Sequence, residues 1–118
     1  MDKDVVILKY LFDVQSSSTA IHIHLSGKSD YKAYLRNITV QRAVERELEI
    51  IGEAIGKLLQ IDDSVNISYA RLIVDLRNKI IHSYDSINND VIWKIVSKDI
   101  PILQNEILNL INLHSHQA

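Results

Sequence analysis

The sequence contains no cysteine among its 118 residues. This absence excludes disulfide frameworks, zinc sites built on thiolates and cysteine nucleophiles, and it favours a reducing, intracellular setting. One proline and three glycines are too few for a collagen-like or linker-rich chain. The 13 Lys and Arg against 15 Asp and Glu leave a net charge of −2, so any contact with nucleic acid must be local.

Long apolar runs are also missing from the sequence. None approaches the roughly 18 residues of a membrane span, and Asp2 and Asp4 stand where a signal peptide carries basic residues. We therefore expect a cytoplasmic protein that makes no membrane contact. Apolar residues make up 47% of the chain, which is enough for one core, and we expect a single domain over residues 1–118.

Apolar residues recur at helical spacing along almost the whole chain. The first stripe, at intervals of four and three, consists of Ile7, Leu11, Val14, Ser18, Ile21 and Leu25. It predicts a long helix that stops at Gly27. The alternation over residues 21–25 is also compatible with a short strand, but the longer rhythm runs through it and a lone strand would lack a partner.

The remaining stripes complete a helical pattern. Residues 29–35 predict a short helix, and longer stripes follow over residues 44–58, 69–80 and 93–110. The last stripe crosses Pro101, which predicts a kink rather than the end of the helix. The expected fold class is all-α, an up-and-down bundle of four main helices plus one short helix.

Several residues have a structural and a functional interpretation. Gly52 and Gly56 lie on one helix, either by incidental tolerance or because small residues let a second helix approach closely. Arg42 and Arg46 could guide RNA, but a surface paired with neighbouring acids is favoured. Trp93 is most simply a core residue or stacks at the end of the bundle. We expect residues 114–116 to form a solvated tail without a metal site.

His22 and His24 also have two interpretations. Both are more simply polar-edge residues or dimer contacts than metal ligands.

Arg77 interrupts the apolar face of its predicted helix. At about 100° per residue it falls in the middle of an apolar arc, with Asn78 and His82 on the neighbouring polar edge. A guanidinium at that position must extend to water, pair with an acid or lie at an interface, because burying it alone is very costly.

These residues suit the cleavage of a phosphodiester. His82 can take a proton from a ribose 2′-hydroxyl or give one to the leaving oxygen, and Arg77 can stabilise the charge that develops on the phosphate. Asn78, one turn before His82, can orient either the imidazole or the phosphate, and neither a metal ion nor another cofactor is expected. The spacing alone is also compatible with Arg77 paired to Asp75 and His82 capping a helix.

The segment Arg-Asn-Lys-Ile-Ile-His-Ser-Tyr, residues 77–84, resembles the RX4HXY motif of the HEPN superfamily, specifically of HepT-like toxins. Residues 41–54 resemble the second-helix signature of that family, and residues 90–93 with 100–103 resemble its last helix. The similarity covers nearly the whole chain. One departure is Ser83, where the family often has glycine, and we expect altered turn geometry at most.

The resemblance implies a small endoribonuclease with the HEPN fold, the toxin of a toxin–antitoxin pair. It implies a homodimer whose Arg77 and His82 side chains, from both chains, line a cleft that binds RNA, with Asn78 beside them. Such a dimer would explain why Arg77 interrupts an apolar arc. The implied antitoxin is a minimal nucleotidyltransferase of the MNT type, which transfers AMP from ATP to the motif tyrosine, here Tyr84.

Two alternatives remain open on the sequence. The chain could be a non-catalytic helical subunit that holds substrate for a minimal nucleotidyltransferase, or an unrelated helical dimerisation module. In either case Tyr84 would be an ordinary core or interface aromatic. The presence of both Arg77 and His82 favours the ribonuclease, because a scaffold has no need of that pair.

Overall fold

The computed structural model describes residues 2–82 and 88–117, which form helices joined by short connections. The helices are α1 (Lys3–His24), α2 (Tyr31–Leu35), α3 (Ile38–Ile61), α4 (Ala70–His82), α5 (Asn89–Lys94) and α6 (Ile100–Gln117). A π-helical segment, Ile95–Asp99, joins α5 to α6, so these three pieces form one long helical unit. The predicted all-α class is therefore confirmed, with four long helical units and the short α2.

Helix α3 is the centre of the bundle. It packs against α1 on one side and α4 on another, α6 packs against α1, and α2 lies against α3. The predicted stripe of α1 faces this core, because Ile7, Leu11 and Val14 are at most 1% exposed. Within the described ranges, no helix is long and apolar enough to cross a membrane.

Polar side chains begin the helices and a glycine ends the first one. The carboxylate of Asp30 accepts the Ala33 N–H at 3.0 Å, and Asn37 accepts the Val40 N–H at 3.1 Å, which caps α2 and α3. Gly27 has φ +67°, and its N–H donates to the His22 carbonyl at 2.9 Å. The predicted stop after α1 is thus a left-handed glycine that satisfies a terminal carbonyl.

The last helical unit continues across Pro101, as predicted. Its irregularity lies in the π-helical segment Ile95–Asp99, which ends two residues before the proline and where the Ile100 N–H donates to the Ile95 carbonyl five residues back. A proline ring clashes with the carbonyl four residues before it and provides no N–H. The wider π-helical turn accommodates both effects without ending the helix.

The prediction of a solvated tail at residues 114–116 is wrong for His114. Helix α6 extends to Gln117, and His114 is only 8% exposed. Its Nδ1 lies 2.8 Å from Oδ1 of Asp4, in the first turn of α1. The last turn of α6 therefore meets the first turn of α1, a neighbour that local sequence does not reveal.

Aromatic side chains close the opposite end of the bundle. The ring of Trp93 lies 5.4 Å from that of Tyr31 and 5.3 Å from that of Tyr34, measured between centroids. This confirms that Trp93 stacks at the bundle end. Tyr34 is 3% exposed, and its hydroxyl has no hydrogen-bond partner among the described residues.

Replacing Tyr34 with phenylalanine should remove an alkaline loss of stability. Burial, followed by the nearby Glu45 charge, raises the pKa of Tyr34 to about 12. The folded protein then retains a proton that the unfolded chain releases above pH 10, so the free energy of unfolding falls as pH rises from 10 to 12. Between pH 10 and 12, the free energy of unfolding of Tyr34→Phe should fall by about 2 kcal/mol less than that of the parent, as measured by urea denaturation. Equal losses in both proteins would contradict this assignment.

Candidate active site on helix α4

Helix α4 presents a buried face and a polar edge. Ile73 and Leu76 are 1% and 5% exposed and are part of the core, whereas Asn78 and His82 are exposed. Arg77 is half-buried between them. This confirms the prediction that Arg77 interrupts the apolar face of its helix.

The start of α4 is fixed by a carboxylate from α6. The Ser68 backbone N–H and its hydroxyl donate to Glu106, at 3.1 and 2.7 Å. Tyr69 follows in the left-handed region, with φ +63°, and its carbonyl accepts the Ile73 N–H at 2.9 Å. Sequence reasoning did not find Glu106, because its partner lies 38 residues away along the chain.

Gly52 lets α4 approach α3 closely at Arg77. A Cβ added to Gly52 would lie 2.4 Å from Cβ of Arg77 and 3.1 Å from the Ile73 carbonyl oxygen, so no larger residue fits without movement. A Cβ added to Gly56 would meet nothing within 4 Å. The predicted close approach is confirmed for Gly52 and wrong for Gly56.

The guanidinium of Arg77 retains free donors. Its NH1 group donates to Oδ1 of Asn78 at 3.2 Å, and its Nε is buried without a hydrogen-bond partner in the described part of the chain. The alternative of a pair with Asp75 is not observed, since no described carboxylate forms an ion pair with Arg77. The positive charge is therefore available to an anionic ligand.

A cavity of about 250 Å³ lies beside Arg77, between α3 and α4. Its lining consists of Gly52, Glu53, Gly56, Lys57, Gln60, Val74 and Arg77. Two cations, one carboxylate and an amide surround a space that the two glycines leave open. Such a set is able to hold a phosphate group through charge-assisted hydrogen bonds. Sequence reasoning found the glycines and Arg77 but not Lys57.

His82 lies elsewhere on α4. It is the last residue of that helix, about 7.5 Å along the axis and about 140° around it from Arg77. Among the described residues that line the cavity, Arg77 is present and His82 is not. One chain thus brings Arg77 and Asn78 together but directs the imidazole to another side of the helix.

Two predicted features of the motif lie outside the described residues. These are Tyr84, the expected site of modification, and Ser83, which precedes it. Over the ranges that are described, no group of three or more His, Asp and Glu is placed to hold a metal ion.

Three of the other candidate residues are engaged with acids. Arg42 pairs with Glu45 at 3.1 Å and Arg46 pairs with Glu49 at 2.9 Å, which confirms the predicted paired surface. Nε2 of His24 lies 2.9 Å from the Glu47 carboxylate. None of these groups belongs to the lining of the cavity beside Arg77.

Comparison with known proteins identifies the family. The model of the family described as "Ribonuclease HepT-like" matches residues 7–110, which include α4 entirely. The chain belongs to the HepT-like family. The match confirms the resemblance seen in the sequence.

Named HepT-like relatives support the same assignment. "Putative RNase MJ1380" of Methanocaldococcus jannaschii is 34% identical over 83% of this chain and 90% of the relative. "Putative RNase MJ0127" of the same organism is 33% identical over 78% of this chain and 76% of its own length. "Probable ribonuclease HepT" of Thermococcus cleftensis is 33% identical over 82% of this chain and 88% of the relative. No solved structure matches the chain.

Proposed function

We propose that this HepT-like chain is a metal-independent endoribonuclease that works in the cytoplasm as the toxin of a toxin–antitoxin pair. The observation that carries the proposal is Arg77, held half-buried against Gly52, with donors that no described residue uses, on a helix whose last residue is His82. The relatives, named "Putative RNase" and "Probable ribonuclease HepT", support the same reaction class. A guanidinium and an imidazole together provide charge stabilisation and proton transfer, the two requirements of phosphodiester cleavage.

The reaction uses the 2′-hydroxyl of the RNA as its nucleophile. One imidazole removes the hydroxyl proton, the 2′-oxygen bonds to phosphorus, and the bond from phosphorus to the 5′-oxygen breaks. A second, protonated imidazole gives its proton to the leaving 5′-oxygen. The products are a 2′,3′-cyclic phosphate and a 5′-hydroxyl, so protons and charge balance. Arg77 stabilises the additional charge on the phosphate, and Asn78 orients the guanidinium by their hydrogen bond.

Two chains are needed for this mechanism. The mechanism uses two imidazoles, whereas one chain has a single His82, which lies about 140° from Arg77 around α4. Ile81, 40% exposed, and the half-buried Val74 flank Arg77 and provide apolar surface for a second copy. We propose a homodimer in which His82 of the partner subunit supplies the second imidazole. Such pairing also covers the apolar arc around Arg77.

The direct test is cleavage of RNA by the purified chain in buffer that contains EDTA. We expect fragments that end in 2′,3′-cyclic phosphate, together with dimers in analytical ultracentrifugation. Growth arrest on expression of the chain alone would be the cellular counterpart. A chain that binds a nucleotidyltransferase partner but neither cleaves RNA nor arrests growth would instead be a substrate-holding subunit.

The proposed antitoxin is a minimal nucleotidyltransferase that modifies Tyr84. The tyrosine oxygen bonds to the α-phosphorus of ATP, pyrophosphate leaves, and the hydroxyl proton passes to a base of the antitoxin. The added phosphate places negative charge two residues after His82, where it repels RNA and pairs with Arg77.

Tyr84 should gain the mass of one AMP unit when the chain is co-expressed with its nucleotidyltransferase. Mass spectrometry of the intact and digested protein measures the modification and its position. Tyr84→Phe should stay unmodified and keep its ribonuclease activity, while Tyr69→Phe, which alters an exposed tyrosine just before α4, should be modified like the parent. Full neutralisation of an unmodified chain would show that the antitoxin acts by binding alone.

A further inference from the structure

The connection between α1 and α3 is positively charged in a chain that is negative overall. Residues 25–37, called here the basic connector, contain Lys28, Lys32 and Arg36 against the single acid Asp30. The basic connector has net charge +2, and the remainder of the chain −4. A positive surface of this size binds anions locally even when the net charge is negative.

The cations of the basic connector are available to a ligand. Lys28, Lys32 and Arg36 are all exposed, and none forms an ion pair within the described residues. Asp30 is engaged as the cap of α2, accepting the Ala33 N–H. The neighbouring Glu45 is paired with Arg42. The positive charge is thus not neutralised by the acids around it.

Lys28 separates two cavities at this end of the bundle. Cavities of about 150 and 200 Å³ both include Lys28 and Leu25 in their lining. The first is also lined by Trp93, Ser97 and Gln104, and the second by Asn37 and Asp30. Cations, amides and a half-buried tryptophan are the groups that bind single-stranded nucleic acid, through phosphates, base edges and stacking.

Helix α4 runs from the candidate active site toward the end of the bundle that carries the basic connector. Helix α4 contacts Gly52 at Arg77 and continues five residues, about 7.5 Å, to His82. Helix α3 begins at Ile38, 14 residues or about 21 Å from Gly52, where the basic connector ends. After the turn at residues 62–69, α4 runs back along α3 toward its first residue. The distance from His82 to the basic connector, measured along the axis of α3, is therefore about 13 Å, the difference between these two lengths. Along the axis, both sites therefore lie within reach of one bound strand.

We propose that the basic connector binds the single-stranded flank of the RNA substrate, with Lys28 and Lys32 on phosphates and a base in the cavity beside Trp93. The proposal rests on the ribonuclease function proposed above and adds a substrate-binding surface outside the Arg77 and His82 site. An acidic protein is the competing ligand, but Trp93 lines the neighbouring cavity and can stack on an unpaired base, which favours RNA. Binding there sets substrate affinity rather than the chemical step.

The test compares two double variants of equal charge. Lys28→Ala with Lys32→Ala alters the basic connector, while Lys3→Ala with Lys9→Ala removes two lysines from the first half of α1, outside the basic connector. Both are made in a His82→Ala chain, and binding of a fluorescent single-stranded RNA is measured at several salt concentrations. Trp93 is the only tryptophan, so its fluorescence reports occupancy of the adjacent cavity. Circular dichroism verifies the fold of each variant.

The basic-connector variant should bind RNA more weakly and lose the tryptophan signal. A plot of the logarithm of the RNA binding constant against the logarithm of salt concentration has a negative slope. In this variant the slope should become shallower by about 1.4, the contribution of two phosphate contacts on a single strand. The variant that lacks Lys3 and Lys9 should keep the RNA affinity and the tryptophan signal of its parent. Equal behaviour of the two variants overturns the proposal, as does binding of polyglutamate in preference to RNA.

Chains with His82 intact separate this proposal from the ribonuclease function. If the parent cleaves RNA and the basic-connector variant has an unchanged KM, the proposed RNA-binding surface is wrong, whereas the proposed ribonuclease function is supported. If the parent binds RNA through the basic connector but cleaves none, the surface stands and the function is wrong. If both the RNA-binding surface and the ribonuclease function are correct, KM rises in the basic-connector variant while kcat stays near that of the parent.

Discussion

Replacing His82 with alanine should lower the rate of RNA cleavage by about 10²–10⁴-fold, the usual contribution of general acid–base catalysis. Arg77→Ala should lower it by about 10²–10³-fold, because the developing charge on the phosphate then lacks its donor. Initial rates on a fluorogenic RNA measure both effects. Arg77→Lys should be partly active, since it keeps the charge but not the forked donors.

Arg71→Ala is the matched control for these variants. Arg71 is an exposed arginine on the same helix, six residues before Arg77, and does not line the cavity. Its variant should cleave RNA at the parent rate. Thermal unfolding of every variant distinguishes a catalytic loss from a folding defect. His82→Ala activity equal to that of the parent would eliminate the imidazole from the mechanism.

Gly52→Ala and Gly56→Ala should change stability in opposite directions. The methyl group at Gly52 would meet Cβ of Arg77 at 2.4 Å, so α3 and α4 must separate, at a cost of about 1–3 kcal/mol in the free energy of unfolding. The methyl group at Gly56 meets nothing within 4 Å, and alanine is the better helix former by about 1 kcal/mol. Urea denaturation measures both changes.

The same pair of variants tests the geometry of the site. Displacement of Arg77 in Gly52→Ala should reduce cleavage of RNA together with stability, and Gly56→Ala should stay folded at higher urea than the parent. A similar gain in stability in both variants would show that α3 and α4 are not in contact at Arg77. The two substitutions are chemically identical and one helical turn apart, so the comparison isolates the contact.

Much of this protein could be predicted from sequence because helical periodicity is a local property. The stripe from Ile7 to Ile21 and the stop at Gly27 depend on side chains a few residues apart. Arg77 stood out for the same reason, as a charge within an apolar arc. The motif at residues 77–84 added the reaction class, which periodicity does not contain.

Contacts between distant segments could not be predicted in this way. The pairing of His114 with Asp4 joins residues 110 apart, and the anchoring of Ser68 by Glu106 joins residues 38 apart. Gly52 and Gly56 were equivalent in the sequence, and only the path of α4 distinguishes them.

The sequence by itself determined the helices, their buried faces and the candidate residues for phosphodiester cleavage, because each follows from a local spacing of side chains. The tertiary structure alone decided which glycine touches Arg77 and where a cavity opens beside the guanidinium. The physical reason is that packing of helices against one another fixes positions around and along each axis, and those depend on neighbours that are remote in the chain.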